Sequence, residues 1–243
     1  MTATQSASIV LGLISNLPMF RQATRPHLAE LARHARTEHV RRGTAILRRG
    51  ERLHGLYAVA YGMVKVSLRG DAGEEKVLRL VGAGETFGEP MMFLNEPSPI
   101  DAVALGDTLL VMVPAAPLLA LIETDPSFTR SLLAALSQRF HGLVADVEAS
   151  TLKSGLQRVA SYLDSLAEPC EGIGHVVHLP ATKTVIAALL GVTKETFSRL
   201  LRELAAQGMI SVARRDIAIL DREHLKRIVH GEHAPHPPAG AAH

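Results

Sequence analysis

Thr182–Ile210 reads TKTVIAALLGVTKETFSRLLRELAAQGMI, two short helical patterns joined through Gly191, Val192 and Thr193. In the second pattern Phe197, Leu200, Leu201 and Leu204 recur at i, i+3, i+4 and i+7, one apolar stripe that has to be buried. Glu195, Ser198, Arg199 and Arg202 take the opposite face. Thr193 stands where a hydroxyl can accept from an unpaired N–H at the helix start, and Gly208 lies just past the last apolar position as a stop. The layout is that of a helix-turn-helix, which points at DNA.

A helix in the major groove reads bases with hydrogen-bonding groups near its amino end. Arg suits the two acceptors of guanine, Glu the amino donor of cytosine and Ser either, each good pair contributing ~1–3 kcal/mol of discrimination. Glu195, Ser198 and Arg199 supply all three, and are expected to read bases. The competing reading is a solvated amphipathic helix with an i, i+4 Glu195–Arg199 ion pair, which would contribute only about 0.3–0.5 kcal/mol. Beyond the helix, Ile210–Val212 and Ile217–Ile219 alternate apolar and polar residues around Arg214 and Arg215, as the β-hairpin of a wing would. Thr182, Lys183, Thr193, Lys194, Arg202, Arg214 and Arg215 are the expected phosphate contacts, which fix register and bring salt dependence without specifying sequence.

The chain of 243 residues has a formal net charge of +2, so a local patch rather than bulk charge has to attract DNA. A single cysteine, Cys170, excludes an intrachain disulfide and a four-cysteine iron–sulfur site, and an unreactive thiol is the expectation for it. The start, MTATQSASIVLGLISNL, lacks a basic n-region and is too short an apolar run to span a bilayer. It is expected to be a helix entering the fold of a cytoplasmic protein with no membrane partner. Residues 230–243, rich in Gly, Ala, Pro and His, are expected to be a disordered tail.

From about Thr37 to Val113 short alternating segments are separated by glycines at 43, 50, 55, 62, 70, 73, 82, 84 and 88. This predicts an antiparallel β-roll with an interior large enough for one small ligand. A helix follows over roughly 126–150, in which Leu133, Leu136, Phe140, Leu143 and Val147 step by 3, 4, 3 and 4 as a coiled-coil seam does. A parallel homodimer would set two reader helices about one DNA turn, ~34 Å, apart and call for a palindromic operator. The alternative is that this stripe packs on its own roll. The expected class is α+β, with a roll over 14–125, a dimerisation helix over 126–152 and a winged helix-turn-helix over 153–229.

This order of parts resembles the Crp/Fnr superfamily of bacterial transcription regulators over about residues 14–229. The motifs are Gly43, Gly50-Glu51, Leu56-Tyr57, Gly62–Val66, Gly84–Glu89 and the reader helix Thr193–Leu204. Glu195, Ser198 and Arg199 are similar to the E-x-x-S-R signature of the Fnr-like members, whose operators resemble TTGAT followed by an inverted ATCAA. The resemblance implies that Arg199 reads guanine, Ser198 sits near a thymine and Glu195 accepts from a base amino group, with RNA polymerase as a further partner.

Cyclic-nucleotide-binding members carry an Arg-Ser pair that holds the phosphate, and the matching positions here are Pro99 and Ile100, followed by Asp101. No cation is expected there, and a phosphate beside Asp101 would meet a like charge. The Thr-Ser pair that approaches the adenine is replaced by Leu143 and Val144. Both departures argue against cyclic AMP, and the missing cysteines argue against the Fnr cluster. Met91-Met92-Phe93, the Glu195–Arg199 string and Ile219–Glu223 most resemble the nitrogen-oxide-responsive regulators of dissimilatory nitrate respiration, a branch associated with haem and nitric oxide. The pocket this implies would be lined by Gly88, Glu89, Met91, Met92, His141, Leu143 and Val144, with Ser154–Gly155 as a hinge to the reader. No metal ligand set can be assigned, because the histidines at 27, 34, 39, 54 and 141 are scattered and His175 and His178 fall on opposite faces of a strand.

A cupin-type enzyme would share the barrel but needs clustered ligands such as H-x-H, absent from 37–113. A cyclic-nucleotide module of a kinase or channel would lack the reader helix and wing. Within the regulator reading, a haem or gas sensor stands against a regulator active without a small molecule, with a cyclic-nucleotide-responsive one more remote.

Overall fold

Short apolar–polar alternations cannot bury their apolar faces alone, and between residues 36 and 114 they pair into two antiparallel four-stranded sheets. The computed structural model describes residues 10–21, 23–70, 73–170 and 174–231. The expected tail from residue 232 on and the first nine residues lie outside that set. The chain divides into two units, Met1–Val144 and Ala145–His243.

In the first unit the strands are β1 (Arg36–Val40), β2 (Ala45–Leu47), β3 (Gly55–Tyr61), β4 (Met63–Arg69), β5 (Glu75–Gly82), β6 (Thr86–Phe87), β7 (Asp101–Ala104) and β8 (Thr108–Pro114). One sheet is ordered β1-β8-β3-β6 and the other β2-β7-β4-β5. Val40, Leu47, Val64, Val81, Ala102 and Leu110 fill the interior of this roll. Gly62 joins β3 to β4 at φ +93°, where a Cβ would lie 2.6 Å from the Asp107 carbonyl oxygen, so the turn requires glycine.

The helices of this unit are α1 (Arg25–His34), α2 (Glu89–Leu94), α3 (Ala115–Thr124) and most of α4 (Pro126–Leu152). The outer face of the first sheet, including Leu56, Ala58, Val111 and Val113, packs against α1, α3, the helical residues 10–15 and the first turns of α4. Phe128 of α4 is fully buried and stacks on Phe20 with ring centroids 5.9 Å apart. Burying a side chain of this size contributes about 1.5–3 kcal/mol. Asp125 starts α4, its Oδ1 accepting from the Ser127 and Phe128 N–H groups at 2.8 and 3.1 Å. Across from it, His27 Nδ1 lies 3.1 Å from Oδ2.

Further along α4 the apolar residues change environment. Phe128 and Leu132 are core and Leu136 packs partly against that core, whereas Leu133, Phe140, Leu143 and Val147 are 54–66% exposed. The expected seam is therefore a surface stripe over most of its length rather than part of the roll's own core.

The second unit holds α5 (Gly155–Ser165), β9 (Glu168–Cys170), β10 (Gly174–His178), α6 (Lys183–Leu189), α7 (Lys194–Ala206), β11 (Ile210–Ala213), β12 (Asp216–Ile219) and α8 (Arg222–Val229). Its strands form one antiparallel sheet, β11-β12-β10-β9. Phe197, Leu200, Leu201 and Leu204 of α7 are all buried, together with Leu163, Ile186, Ile217 and Leu225 from the elements around them. Ser154 and Gln157 form a capping box at the start of α5, so the expected hinge is here a capped helix start, with Gly155 its first helical residue.

Candidate nucleic-acid interface

The reader helix is fixed at both ends by its own sequence. Thr193 Oγ1 accepts from the Thr196 N–H at 3.1 Å, and the two hydroxyls are 3.0 Å apart. At the other end Gly208, at φ +73°, lets its N–H reach Ala205 O while the Met209 N–H reaches Leu204 O. This is a Schellman closure, and it depends on a residue without a Cβ at that position. Helix α6 ends the same way: Gly191 at φ +65° donates to Ala188 O and Val192 to Ala187 O. The turn between the two helices is thus set by hydrogen bonds rather than by length alone. Thr182 caps α6, its hydroxyl accepting from Val185 N–H at 3.4 Å.

With the apolar stripe sealed inside, Glu195 and Arg199 are exposed and Ser198 half-buried on the outer face. No ion pair joins Glu195 to Arg199 among the described residues. Arg202, also exposed, donates through Nε to Ser198 O at 3.4 Å. Lys194 is exposed and Lys183 half-buried. On the wing, Arg214 and Arg215 form the exposed tip between β11 and β12, and Arg214 holds a left-handed backbone at φ +58°. For a residue other than Gly, Asn or Asp that conformation costs roughly 1–2 kcal/mol. Arg215 O accepts from Leu179 N–H at 2.9 Å, which pins the tip to the chain just before α6.

The residues expected to line an effector pocket are not gathered into one. Met91 belongs to the interior of the roll and Met92 to the core under α1, α3 and α4, each about 5% exposed. His141, Leu143 and Val144 are exposed on α4. Gly88 starts α2 at φ +99°, and a Cβ there would lie 2.8 Å from Leu53 Cδ1. Glu89, 1% exposed, accepts through Oε1 from Thr86 Oγ1 and from Arg139 Nη1, the latter at 2.9 Å. Burial pulls the Arg139 guanidinium below its usual range, and the Glu89 carboxylate opposes that shift. Arg139 does not stand out in the sequence. Its signal is an arginine beside the apolar seam of a long helix, which tertiary contact alone distinguishes from surface charge.

The carboxylate of Asp101, expected to have no cation near it, lies 3.4 Å from Arg69 Nε and accepts from the Arg49 N–H at 2.9 Å. Ile100, at the position matching a phosphate-holding side chain, packs against the apolar interior instead. A haem, moreover, does not fit the side chains around Glu89. The methionines are spent in two separate cores, and the one buried polar atom there without a partner, Glu89 Oε2, is an acceptor. Haem propionates are acceptors too, and Arg139, which could have met one, is held by Glu89.

His27, His34, His178 and His224 lie against carboxylates, and His175 Nε2 is 2.9 Å from Arg222 Nη1. Among the described residues no group of three or more His, Cys, Asp or Glu is placed to hold a metal ion. Nor is any described helix long and apolar enough to cross a membrane. Cys170 is half-buried on β9.

Comparison with known proteins gives two matches along the chain: a cyclic nucleotide-binding domain over residues 37–125 and a Crp-like helix-turn-helix domain over residues 157–228. The cyclic AMP receptor protein of Thermus thermophilus is 30% identical over 189 residues, covering 78% of this chain and 86% of that protein. The transcriptional activator protein anr of Pseudomonas aeruginosa is 26% identical over 196 residues, covering 79% and 80%. A solved transcriptional regulator of the CRP/FNR family from Thermus thermophilus superposes with a TM-score of 0.63 at 29% identity, covering 80% of this chain and 98% of that one.

Proposed function

Because this chain belongs to the Crp/Fnr family of DNA-binding transcription regulators, we propose that it is a homodimeric regulator that reads an inverted repeat resembling TTGAT-N4-ATCAA. Its expected targets are genes of anaerobic, nitrogen-oxide respiration, engaged in the cytoplasm together with RNA polymerase. The observation that carries the reading is the outer face of α7. A helix capped at both ends and buried along one side presents Glu195, Ser198 and Arg199, with no partner for the two charged groups among the described residues. Such a face suits direct base readout. The exposed stripe Leu133, Phe140, Leu143 and Val147 supports the dimer, since side chains of this kind are buried by a second copy in a coiled-coil seam.

For the trigger, haem-bound nitric oxide is what the branch resemblance implies. The packing around Glu89 favours the other reading, that the protein binds its operator with no small molecule in the roll. A cyclic nucleotide is remoter still, with Ile100 turned to packing and Asp101 already paired. The purified protein, titrated on the inverted repeat and on random duplex, is expected to prefer the repeat by about 10³-fold or more with nothing added. Haem addition should give no stoichiometric Soret band. A Soret band, together with operator binding that appears only when haem is present, would restore the haem sensor.

A further inference from the structure

Arg158, in the first turns of α5, makes contacts that no reader-face or core role explains. Its Nε donates to Leu190 O at 2.8 Å, its Nη2 to Gly191 O at 3.5 Å, and its Nη1 to Lys153 O at 2.7 Å. Leu190 caps the end of α6 and Gly191 starts the turn into the reader helix; Lys153 lies in the link between α4 and α5. Helix ends leave carbonyls without partners. The Schellman closure takes up Ala187 O and Ala188 O, and the guanidinium takes Leu190 O and Gly191 O further along the turn, where a cation is also favoured by the helix dipole. The fork geometry matters here, because one planar group with several divergent donors can serve two segments at once and an ammonium cannot reproduce that arrangement. The neighbouring packing runs the same way: a Cβ at Gly155 would sit 3.6 Å from both Val192 Cγ1 in the turn and Leu200 Cδ1 in the reader helix.

We propose that Arg158 is the positioning residue of the reader, tying the α4–α5 link to the turn that aims Glu195, Ser198 and Arg199. This rests on the DNA-reading function, and it places sequence discrimination partly in a side chain that touches no base. A reader helix held at a loosened angle keeps its phosphate contacts, which tolerate displacement, but not its forked hydrogen bonds to bases, which do not. The variants are Arg158→Lys and Arg158→Gln, with Asp164→Asn as a control that breaks the 2.6 Å Arg222–Asp164 pair elsewhere in the same unit. Each is measured by thermal melting, and by affinity for an operator selected from random DNA by the wild-type protein and for random duplex.

Well below the melting temperature, Arg158→Lys is expected to lower the ratio of specific to random affinity about tenfold, with random binding within about twofold of wild type, a drop of the size that one good base-reading hydrogen-bond pair supplies. Asp164→Asn, even if it melts as early, keeps the ratio. An unchanged ratio in Arg158→Lys overturns the proposal, as does a parallel fall of both affinities. Failure of both Arg158 variants to fold also overturns it, since Arg158 is then a residue of stability. If the wild-type protein itself selects no sequence, what fails is the DNA-reading function, a separate result.

Discussion

Arg199 and Glu195 stand four residues apart on one helix, the spacing of a helical ion pair, yet they form none. An exposed pair of that kind is weak enough that the outward face is available to bases at little cost. Arg199→Ala is expected to weaken operator binding by about 1–3 kcal/mol while random-duplex binding stays within about twofold, as anisotropy titrations on both duplexes would show. Equal losses on both would make Arg199 a phosphate contact. Thr193, Gly191 and Gly208 were readable at this scale because caps are local chemistry, fixed by the residue and its immediate neighbours. Arg139 and Arg158 were not. Their partners, Glu89 and the Leu190 and Gly191 carbonyls, lie tens of residues away in sequence, and nothing in the spacing of either arginine announces them.

Among the elements, α4 is the one whose two ends do different work. Its start is held by Asp125, whose pKa lies below the ordinary 3.8 chiefly because the Phe128 N–H donates to its carboxylate. A depressed carboxylate stabilises the fold fully above its unfolded pKa, and that contribution is lost as pH falls through the lower folded value. The melting-temperature gap between wild type and Asp125→Ala should therefore be full at neutral pH and shrink below about pH 4; a gap that stays constant to pH 2 would remove the cap. The far half of α4 carries the exposed stripe. Phe140→Glu or Val147→Asp places a charge on it without touching the core, so sedimentation is expected to show a folded monomer, whereas an unchanged dimer would move the interface elsewhere. The roll's strands β2, β3, β4, β5 and β8 and the reader and wing were legible because each has a buried face with its own period. β1 was not, since of RTEHV only Val40 is buried, and α3 was not, since AAPLLALIET is too uniformly apolar to show a helical period. The residues expected to line an effector pocket are dispersed for a related reason. Met91 and Met92 are adjacent in sequence, and helix geometry sends adjacent side chains into different cores.

For the whole molecule, a homodimer with one reader per copy implies two-fold symmetry in the DNA, and the pitch of the duplex makes half-site spacing a geometric requirement. The family assigns a cyclic-nucleotide-type roll, but here Asp101 is paired with Arg69 and Glu89 with Arg139 of α4. The protein is proposed to be a dimeric reader of spaced half-sites that needs no small molecule. This is tested most directly by titrating the purified protein, with nothing added, onto TTGAT-N4-ATCAA and onto the same duplex with five base pairs inserted between the half-sites. One dimer per duplex is expected on the first, with affinity falling about 100-fold or more on the second, because half a helical turn puts one half-site on the opposite side of the DNA. Equal affinity for the two duplexes would contradict it.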